Sequence, residues 1–420
     1  MKNRAMESRV RRRAASRLAR LLVLTGSRQT GKTTLIRRCF PDVPYISLED
    51  PAVRPGFSRM TAAEWIERYP HAILDEVQKA PSLVETVKAA YDQSPEVRYF
   101  LLGSSQILLL SRVKESLAGR AAIEELWPLT LPEMATSSWD DPLGTSRLVL
   151  WLEEGCRTDD VLLGQPATDR TCARYSEILE HYLRFGGMPV VHHDDLTDDE
   201  RRSWLRDFQR TYLERDVADL AALRDLEPFV VAQRVLANRS GRGVNFSDLA
   251  RSAGIAPATA RRFLRYLELS YQVIQVPPFF RNPEKRLAKM PKVHFVDPGI
   301  LRTILNRTGD WTGDEFESAL VSEIVKQVRN AGVVAGFFHL RTYDRREVDL
   351  LVEFESGFVA FEIKASRKVS SADARTLRGL KPLLDKPLLG ALVVSLDLEV
   401  RYLAPGVLAV PAAWLFAPPG

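Results

Sequence analysis

The octapeptide Gly26-Ser27-Arg28-Gln29-Thr30-Gly31-Lys32-Thr33 constrains this chain more than any other stretch. It follows the apolar run LLVLT and precedes the amphipathic run KTTLIRRCF, so it reads as the turn between a strand and a helix. Its two glycines let backbone N–H groups wrap an anion where a Cβ would clash. A helix starting near Lys32 adds its N-terminal dipole. The expected ligand is a nucleotide triphosphate, with residues 26 to 33 and Thr34 around it and Lys32 reaching the β- and γ-phosphates. The Thr33 hydroxyl is the expected Mg²⁺ ligand, which makes ATP and Mg²⁺ the implied cofactors.

Such a turn needs a parallel sheet, and residues 21–135 supply its rhythm of short apolar strands and amphipathic helices. Asp75 and Glu76 end the apolar strand AIL. One carboxylate there can hold Mg²⁺ and the next can orient the attacking water. Asp75 is assigned the metal and Glu76 the catalytic base. Ser104 and Ser105 end the next strand, RYFLLG, where a polar sensor of the γ-phosphate belongs; serines also cap turns. Arg120 lies beyond the following short helix and could reach a neighbouring subunit's nucleotide, which would require a homo-oligomer. Arg112 competes for that role, and a plain surface arginine is the alternative.

Charge is strongly segregated. Residues 1–20 carry eight Lys/Arg against Glu7 alone, residues 239–292 carry eleven against three acids, and residues 153–200 carry twelve acids against four arginines. Basic blocks attract phosphate backbones, and salt screens that attraction. The first block reads as a basic tail, either solvated or in contact with nucleic acid. Within the second, Phe246 to Arg251 begins a helix with Ser247 as its expected cap, Ala253-Gly254-Ile255 turns the chain, and Pro257 opens PATARRFLRYLEL. Leu249, Ile255, Phe263, Leu264 and Leu267 suit a three-helix core. Arg261, Arg262 and Arg265 then mark the outer face of the second helix, as in a helix–turn–helix that enters a DNA groove. The run to Asp297 supplies wing strands with a basic tip. A module used only for packing or partner contact is the alternative.

Near the end of the chain, Glu317 falls in an amphipathic helix, Asp349 in EVDLLVEF, and Glu362 and Lys364 in FVAFEIKAS. Strand alternation puts Glu362 and Lys364 on one face. The ESG turn makes a hairpin that brings Asp349 close to Glu362. Carboxylates so placed could hold Mg²⁺ while Lys364 stabilises charge or orients a water. This order resembles the restriction-endonuclease-like nuclease core, either active or kept only for binding.

GSRQTGKTTL, AILDEVQKAPSL, FLLGSSQILLL, SLAGRAAIEELWPLTLPE, FGGMP, YLERDV, KVHFVDPGI and EVDLLV…FEIKAS follow one another in the order of a prokaryotic family. By these motifs the chain resembles the AAA-type ATPases whose C-terminal half is a domain of unknown function. The resemblance implies an ATPase core on Lys32, Thr33, Asp75, Glu76 and the Ser104/Ser105 pair. The Arg-rich start and the polar length of 136–165 depart from it.

The expected architecture is α/β. A basic tail (1–20) leads to an AAA-type P-loop NTPase core with parallel sheet and polar linker (21–170). A helical lid region (171–237), a winged-helix-like region (238–310) and a restriction-endonuclease-like α/β domain (311–420) follow. Hydrophobic residues make up 45% and charged residues 27%, which excludes wholesale disorder. No apolar run reaches the ~18–20 residues that cross a bilayer, so no membrane partner is expected. Cys39, Cys156 and Cys172 lack zinc spacing and an even count, which points to a reduced, cytoplasmic chain. ATP-driven switching coupled to DNA is the leading expectation. A regulatory or signalling scaffold that binds protein or RNA without cleaving DNA is the rival.

Overall fold

A computed structural model describes residues 2–16, 19–103, 119–213, 225–282, 290–341 and 347–419. The expected first layer is present. Strands β1 (Leu21–Thr25), β2 (Tyr45–Ser47), β3 (His71–Asp75), β4 (Arg98–Leu102) and β5 (Ala121–Glu125) form a parallel sheet in the order β2-β3-β4-β1-β5. Alternation divides the strands between two cores: Leu21 and Val23 join Trp65 and Leu101 on one face, Leu22 and Leu24 join Phe100 and Leu102 on the other. A parallel sheet needs both faces covered.

The second face explains a correction. The basic start is not a tail: Met6–Ala15 is helix α1, which buries Met6, Val10 and Ala14 against Leu22, Leu24 and Phe100. Their four-residue spacing is a helical stripe hidden among arginines. Arg4, 2% exposed, anchors the segment: its Nε pairs with Glu133 at 3.2 Å, and its Nη1 and Nη2 donate to the Thr30 and Trp127 carbonyls at 2.9 and 2.6 Å.

Helix α2 (Lys32–Cys39) follows the phosphate loop, and α3 (Ala62–Arg68) and α4 (Pro81–Gln93) cover the opposite face. The polar stretch 136–170 reads in sequence as linker or lid, but it contains α5 (Arg147–Glu153), whose Leu148 and Trp151 enter a core with Trp414 and Phe416. Its apolar run, residues 148–152, is short and flanked by polar clusters, which hides that packing from a sequence reading.

Helices α6 (Arg170–Phe185) and α7 (Asp198–Phe208) lead to α8 (Glu227–Asn238), α9 (Phe246–Ala253) and α10 (Pro257–Leu269). A small antiparallel sheet accompanies them, β6 (Arg242–Gly243), β7 (Val273–Val276) and β8 (Lys292–Phe295), in the order β6-β8-β7. Asn245, not Ser247, caps α9, because its side chain accepts from the N–H groups of Ser247 and Asp248. Leu249, Phe263, Leu264 and Leu267 are buried as expected, with Ile255 packed beside them.

After α11 (Pro298–Ile304), helix α12 (Gly313–Ala331) backs a mixed sheet in the order β13-β14-β12-β11-β10-β9. Its strands are β9 (Gly336–Arg341), β10 (Glu347–Glu353), β11 (Phe358–Lys364), β12 (Leu388–Ser395), β13 (Arg401–Ala404) and β14 (Val407–Pro411). Strands β9, β10 and β11 are antiparallel neighbours, whereas β11, β12 and β14 run parallel. This domain is locked to the first by α12. Lys326 and Glu323, both fully buried, pair at 2.8 Å; Lys326 donates to the Leu129 carbonyl at 3.0 Å, and Glu323 accepts from Leu131 N at 2.7 Å. The three cysteines are buried and free. Among the described residues no helix is long and apolar enough to cross a membrane.

Candidate functional site

The phosphate loop emerges at the end of β1, and β4 separates it from the acidic end of β3. Gly26 has φ +148°, and a Cβ there would lie 2.2 Å from the Leu126 carbonyl oxygen, so the loop closes onto β5 only with glycine. Lys32 Nζ donates to the Gly26 and Ser27 carbonyls at 2.9 and 2.7 Å, folded back over its own loop. Thr33 Oγ1 donates to Asp75 Oδ2 at 2.6 Å, and Glu76 N donates to Asp75 Oδ1 at 2.9 Å. The two residues expected to hold Mg²⁺ therefore already touch.

A third donor is not legible in the sequence. Tyr45, on β2, gives its hydroxyl to the same Asp75 Oδ2 at 2.9 Å. Burial, followed by the neighbouring Asp75 charge, pushes its phenol up to about 12, so it stays a donor. Glu76 sits at φ 54°, in the left-handed region that non-glycine residues seldom occupy and that costs about 1–2 kcal/mol. Burial, and then the Asp75 charge, hold its carboxyl above the ordinary glutamate value.

Lys32, Thr33, Asp75 and Glu76 line one cavity of about 490 Å³, together with Arg28, Gln29, Thr30, Gly31 and Thr34. Lys2 and Arg4 from the N-terminal segment, and Leu129, Pro189 and Val190 from beyond the sheet, complete its wall. FGGMP, without chemistry of its own in the sequence, places the last two. Gly186 has φ +78°, and a Cβ there would fall 1.8 Å from Asp297 Oδ1. Gly187 N donates to Asp297 Oδ2 at 2.7 Å, and its carbonyl accepts from Leu129 N at 2.7 Å. Thus the Asp297 of KVHFVDPGI fastens the turn over this cavity. His192 turns inward, its Nε2 3.0 Å from Gly186 O.

Ser104, Ser105 and Arg112 lie outside the described residues. Arg120 does not line the cavity; its guanidinium makes two bonds to Asp92, at 2.8 and 3.2 Å, on the outer side of α4.

On α10, Arg261, Arg262 and Arg265 are exposed. Arg261 lies over the Phe246 ring at 4.4 Å, and Arg265 pairs with Glu268. The basic tip expected between the wing strands falls in residues 283–289, outside the described residues.

Glu317, Asp349, Glu362 and Lys364 do converge, and a residue missed in sequence pairs with the first two. Lys292, from β8 and 4% exposed at its side chain, places its ammonium 2.9 Å from Glu317, 2.7 Å from Glu347 and 3.6 Å from Asp349. Asp349 Oδ2 accepts from Ile363 N at 2.8 Å, and Lys364 donates to Glu362 at 2.5 Å. Burial and then the Asp349 charge raise Glu317 to about 8 and Glu362 to about 7. Among the described residues no group of three His, Cys, Asp or Glu side chains is arranged to hold a metal ion. Lys292 precedes Glu317 by 25 residues and reaches it only through the tertiary fold.

Comparison with known proteins places families on these modules. Residues 19–135 match the AAA domain family, residues 176–310 a domain of unknown function (DUF8612), and residues 312–415 another (DUF4143). The resemblance to AAA-type ATPases with a C-terminal domain of unknown function is borne out. Uncharacterised proteins of Mycobacterium tuberculosis and Mycobacterium bovis are each 28% identical over 416 residues, spanning 96% of this chain and 83% of the relative. Among solved structures, the Walker-type ATPase of Pyrococcus abyssi is 14% identical, covering 71% of this chain and 94% of its own, with a TM-score of 0.46.

Proposed function

We propose that this chain, an AAA domain joined to two domains of unknown function, is a cytoplasmic Mg-ATP-driven switch that acts on DNA. The observation that carries the ATP half is the bond between Thr33 and Asp75, at 2.6 Å, inside a cavity shared with Lys32 and Glu76. The hydroxyl and carboxylate that would hold Mg²⁺ are already adjacent, and Tyr45 and the Glu76 N–H keep the carboxylate aimed. When bound, the ion neutralises phosphate charge as it builds during transfer. Lys32 exchanges its two loop carbonyls for the β- and γ-phosphates, a stronger, charge-assisted bond. Glu76 takes a proton from the attacking water, its raised pKa bringing it nearer to neutrality.

Lys32→Ala is expected to abolish tight ATP binding. Glu76→Gln is expected to keep binding and to cut hydrolysis by on the order of 10²-fold or more. Wild-type turnover by Glu76→Gln overturns the assignment of the base. Ser104 and Ser105 remain the proposed γ-phosphate sensors, and Arg120 a finger offered to a second copy of the chain.

The DNA half rests on α9, α10 and the β6-β8-β7 sheet, read as a winged helix with Arg261, Arg262 and Arg265 on its outer helix. Replacing all three by Ala should weaken duplex DNA binding and flatten its salt dependence by about one log-log unit for each phosphate left without its arginine. ATP turnover without DNA should survive. Absence of a salt-sensitive gel shift even at low salt would favour the protein- or RNA-binding scaffold.

The C-terminal domain enters this reading as a restriction-endonuclease-like fold used for binding. The Lys292 ammonium stands where cleavage would need a metal, among Glu317, Glu347 and Asp349.

A further inference from the structure

A concave pocket of about 230 Å³ opens between the C-terminal end of α6, α7 and α11. No residue assigned to ATP or to DNA lines it. Its walls hold five arginines and, among the described residues, no acid. Three observations bear on its occupant.

The first is convergence. Arg184 lies in the last turn of α6, Arg202 and Arg206 stand one turn apart on α7, and Arg302 lies on α11 with Arg307 just beyond its end. Gly299 allows the meeting: a Cβ there would fall 2.1 Å from the Phe185 carbonyl oxygen, so α11 passes directly against the end of α6. Arg302 is the most buried of the five. Its side chain is 4% exposed and is held by Glu315 at 3.0 Å and by the Gly309 carbonyl.

The second is unbalanced charge. Arg302 and Arg307 share the single Glu315 carboxylate, at 3.0 and 2.7 Å. Arg184 and Arg202 pair with Glu180, Asp198 and Asp199, side chains so open to water that the pairs hold weakly. Arg206 is exposed and has no ion pair among the described residues. Burial lowers the Arg302 guanidinium below its ordinary value; Glu315 opposes that shift, and the Arg307 and Arg184 charges add to it. Like charges therefore face one another across the pocket, and an anion between them relieves their repulsion.

The third is size. The pocket is smaller than the roughly 300–1,000 Å³ of sites that enclose a whole small molecule, so it suits one chemical group. A phosphate monoester carries about −1.5 to −2 charge at pH 7 and three acceptor oxygens, which match several guanidinium forks. A carboxylate or a phosphodiester brings only a single charge.

We propose that this pocket binds a phosphate dianion, free or as the terminal phosphoryl group of a small ester, on the guanidinium groups of Arg202, Arg206, Arg302 and Arg307. The site stands independently of the assignment of the phosphate loop.

Calorimetric titration of the full chain with inorganic phosphate, glycerol phosphate and dimethyl phosphate tests it. Inorganic phosphate should bind, and dimethyl phosphate, a monoanion, should bind at least ten-fold more weakly. Glycerol phosphate binds as well if the phosphoryl group arrives on a carrier and does not if the site takes only the free ion; both results support the site. The Arg202→Ala, Arg206→Ala double variant should weaken phosphate binding at least ten-fold. Arg307→Ala, an exposed side chain on a separate segment, should also weaken it. Lys32→Ala should leave phosphate binding intact, which separates this pocket from the phosphate loop. No binding of inorganic phosphate to the wild type, binding unchanged in the arginine variants, binding lost in Lys32→Ala, or equal binding of dimethyl phosphate overturns the proposal. Failure of the phosphate-loop reading shows separately, as ATP binding that survives Lys32→Ala.

Discussion

Arg4→Ala tests whether the basic start of the chain is part of the parallel-sheet domain. The Arg4 and Glu133 side chains are 1% and 0% exposed, and the guanidinium also serves the Thr30 and Trp127 carbonyls. Removing one member of a buried ion pair costs about 3–5 kcal/mol, because the other charge stays behind. Glu133 keeps the backbone N–H groups of Ala5 and Thr130, at 2.9 and 2.8 Å, which pulls the figure towards the lower end. The two carbonyls add about 1 kcal/mol each if water does not reach them. A loss of about 3–5 kcal/mol is expected. Urea denaturation followed by tryptophan fluorescence reads it, since Trp127 and Trp139 are buried in this region. Arg12→Ala is the control and should stay within about 0.5 kcal/mol. Because Thr30 belongs to the phosphate loop, ATP affinity should fall in Arg4→Ala as well. A loss below about 1 kcal/mol, or one equal to that of the control, would mean that α1 does not dock.

Tyr45→Phe removes one of the donors that aim Asp75 and should weaken the Mg²⁺ dependence of ATP turnover by about ten-fold, read as a shift of the Mg²⁺ midpoint; an unchanged midpoint makes Tyr45 a packing residue. A base must be ionised, and burial raises Glu76 above the ordinary 4.5, so turnover should fall with decreasing pH along a limb that lies above 4.5. A limb at or below that value takes the role from Glu76. Supercoiled plasmid with Mg²⁺ or Mn²⁺ should stay intact with the wild-type chain, with or without ATP. Nicking that disappears in the Asp349→Ala, Lys364→Ala double variant would establish a nuclease and refute the closing role of Lys292.

Local patterns determined much of this protein directly. The phosphate loop carries its own geometry, because a strand, a glycine turn and a helix are contiguous and their chemistry depends on neighbours within eight residues. The α9–α10 turn and the β10–β11 hairpin are equally local, so the spacing that brings Asp349 beside the strand of Glu362 and Lys364 was legible. What the sequence could not reveal is which distant residue meets a local motif. Lys292 lies outside the helix and hairpin that carry the carboxylates, and nothing in its local sequence marks it as their counter-ion. Tyr45 meets Asp75 only because β2 and β3 pair in parallel, with Ser47 opposite Asp75. The Arg-rich start reads as a tail because charge dominates its composition, while Met6, Val10 and Ala14 form a stripe whose value depends on an uncovered sheet face. FGGMP likewise acquires meaning only where Asp297, 110 residues on, receives the Gly187 N–H. Local propensity and spacing write the elements; burial decides which charges must find partners, and those partners are set by the packed fold alone.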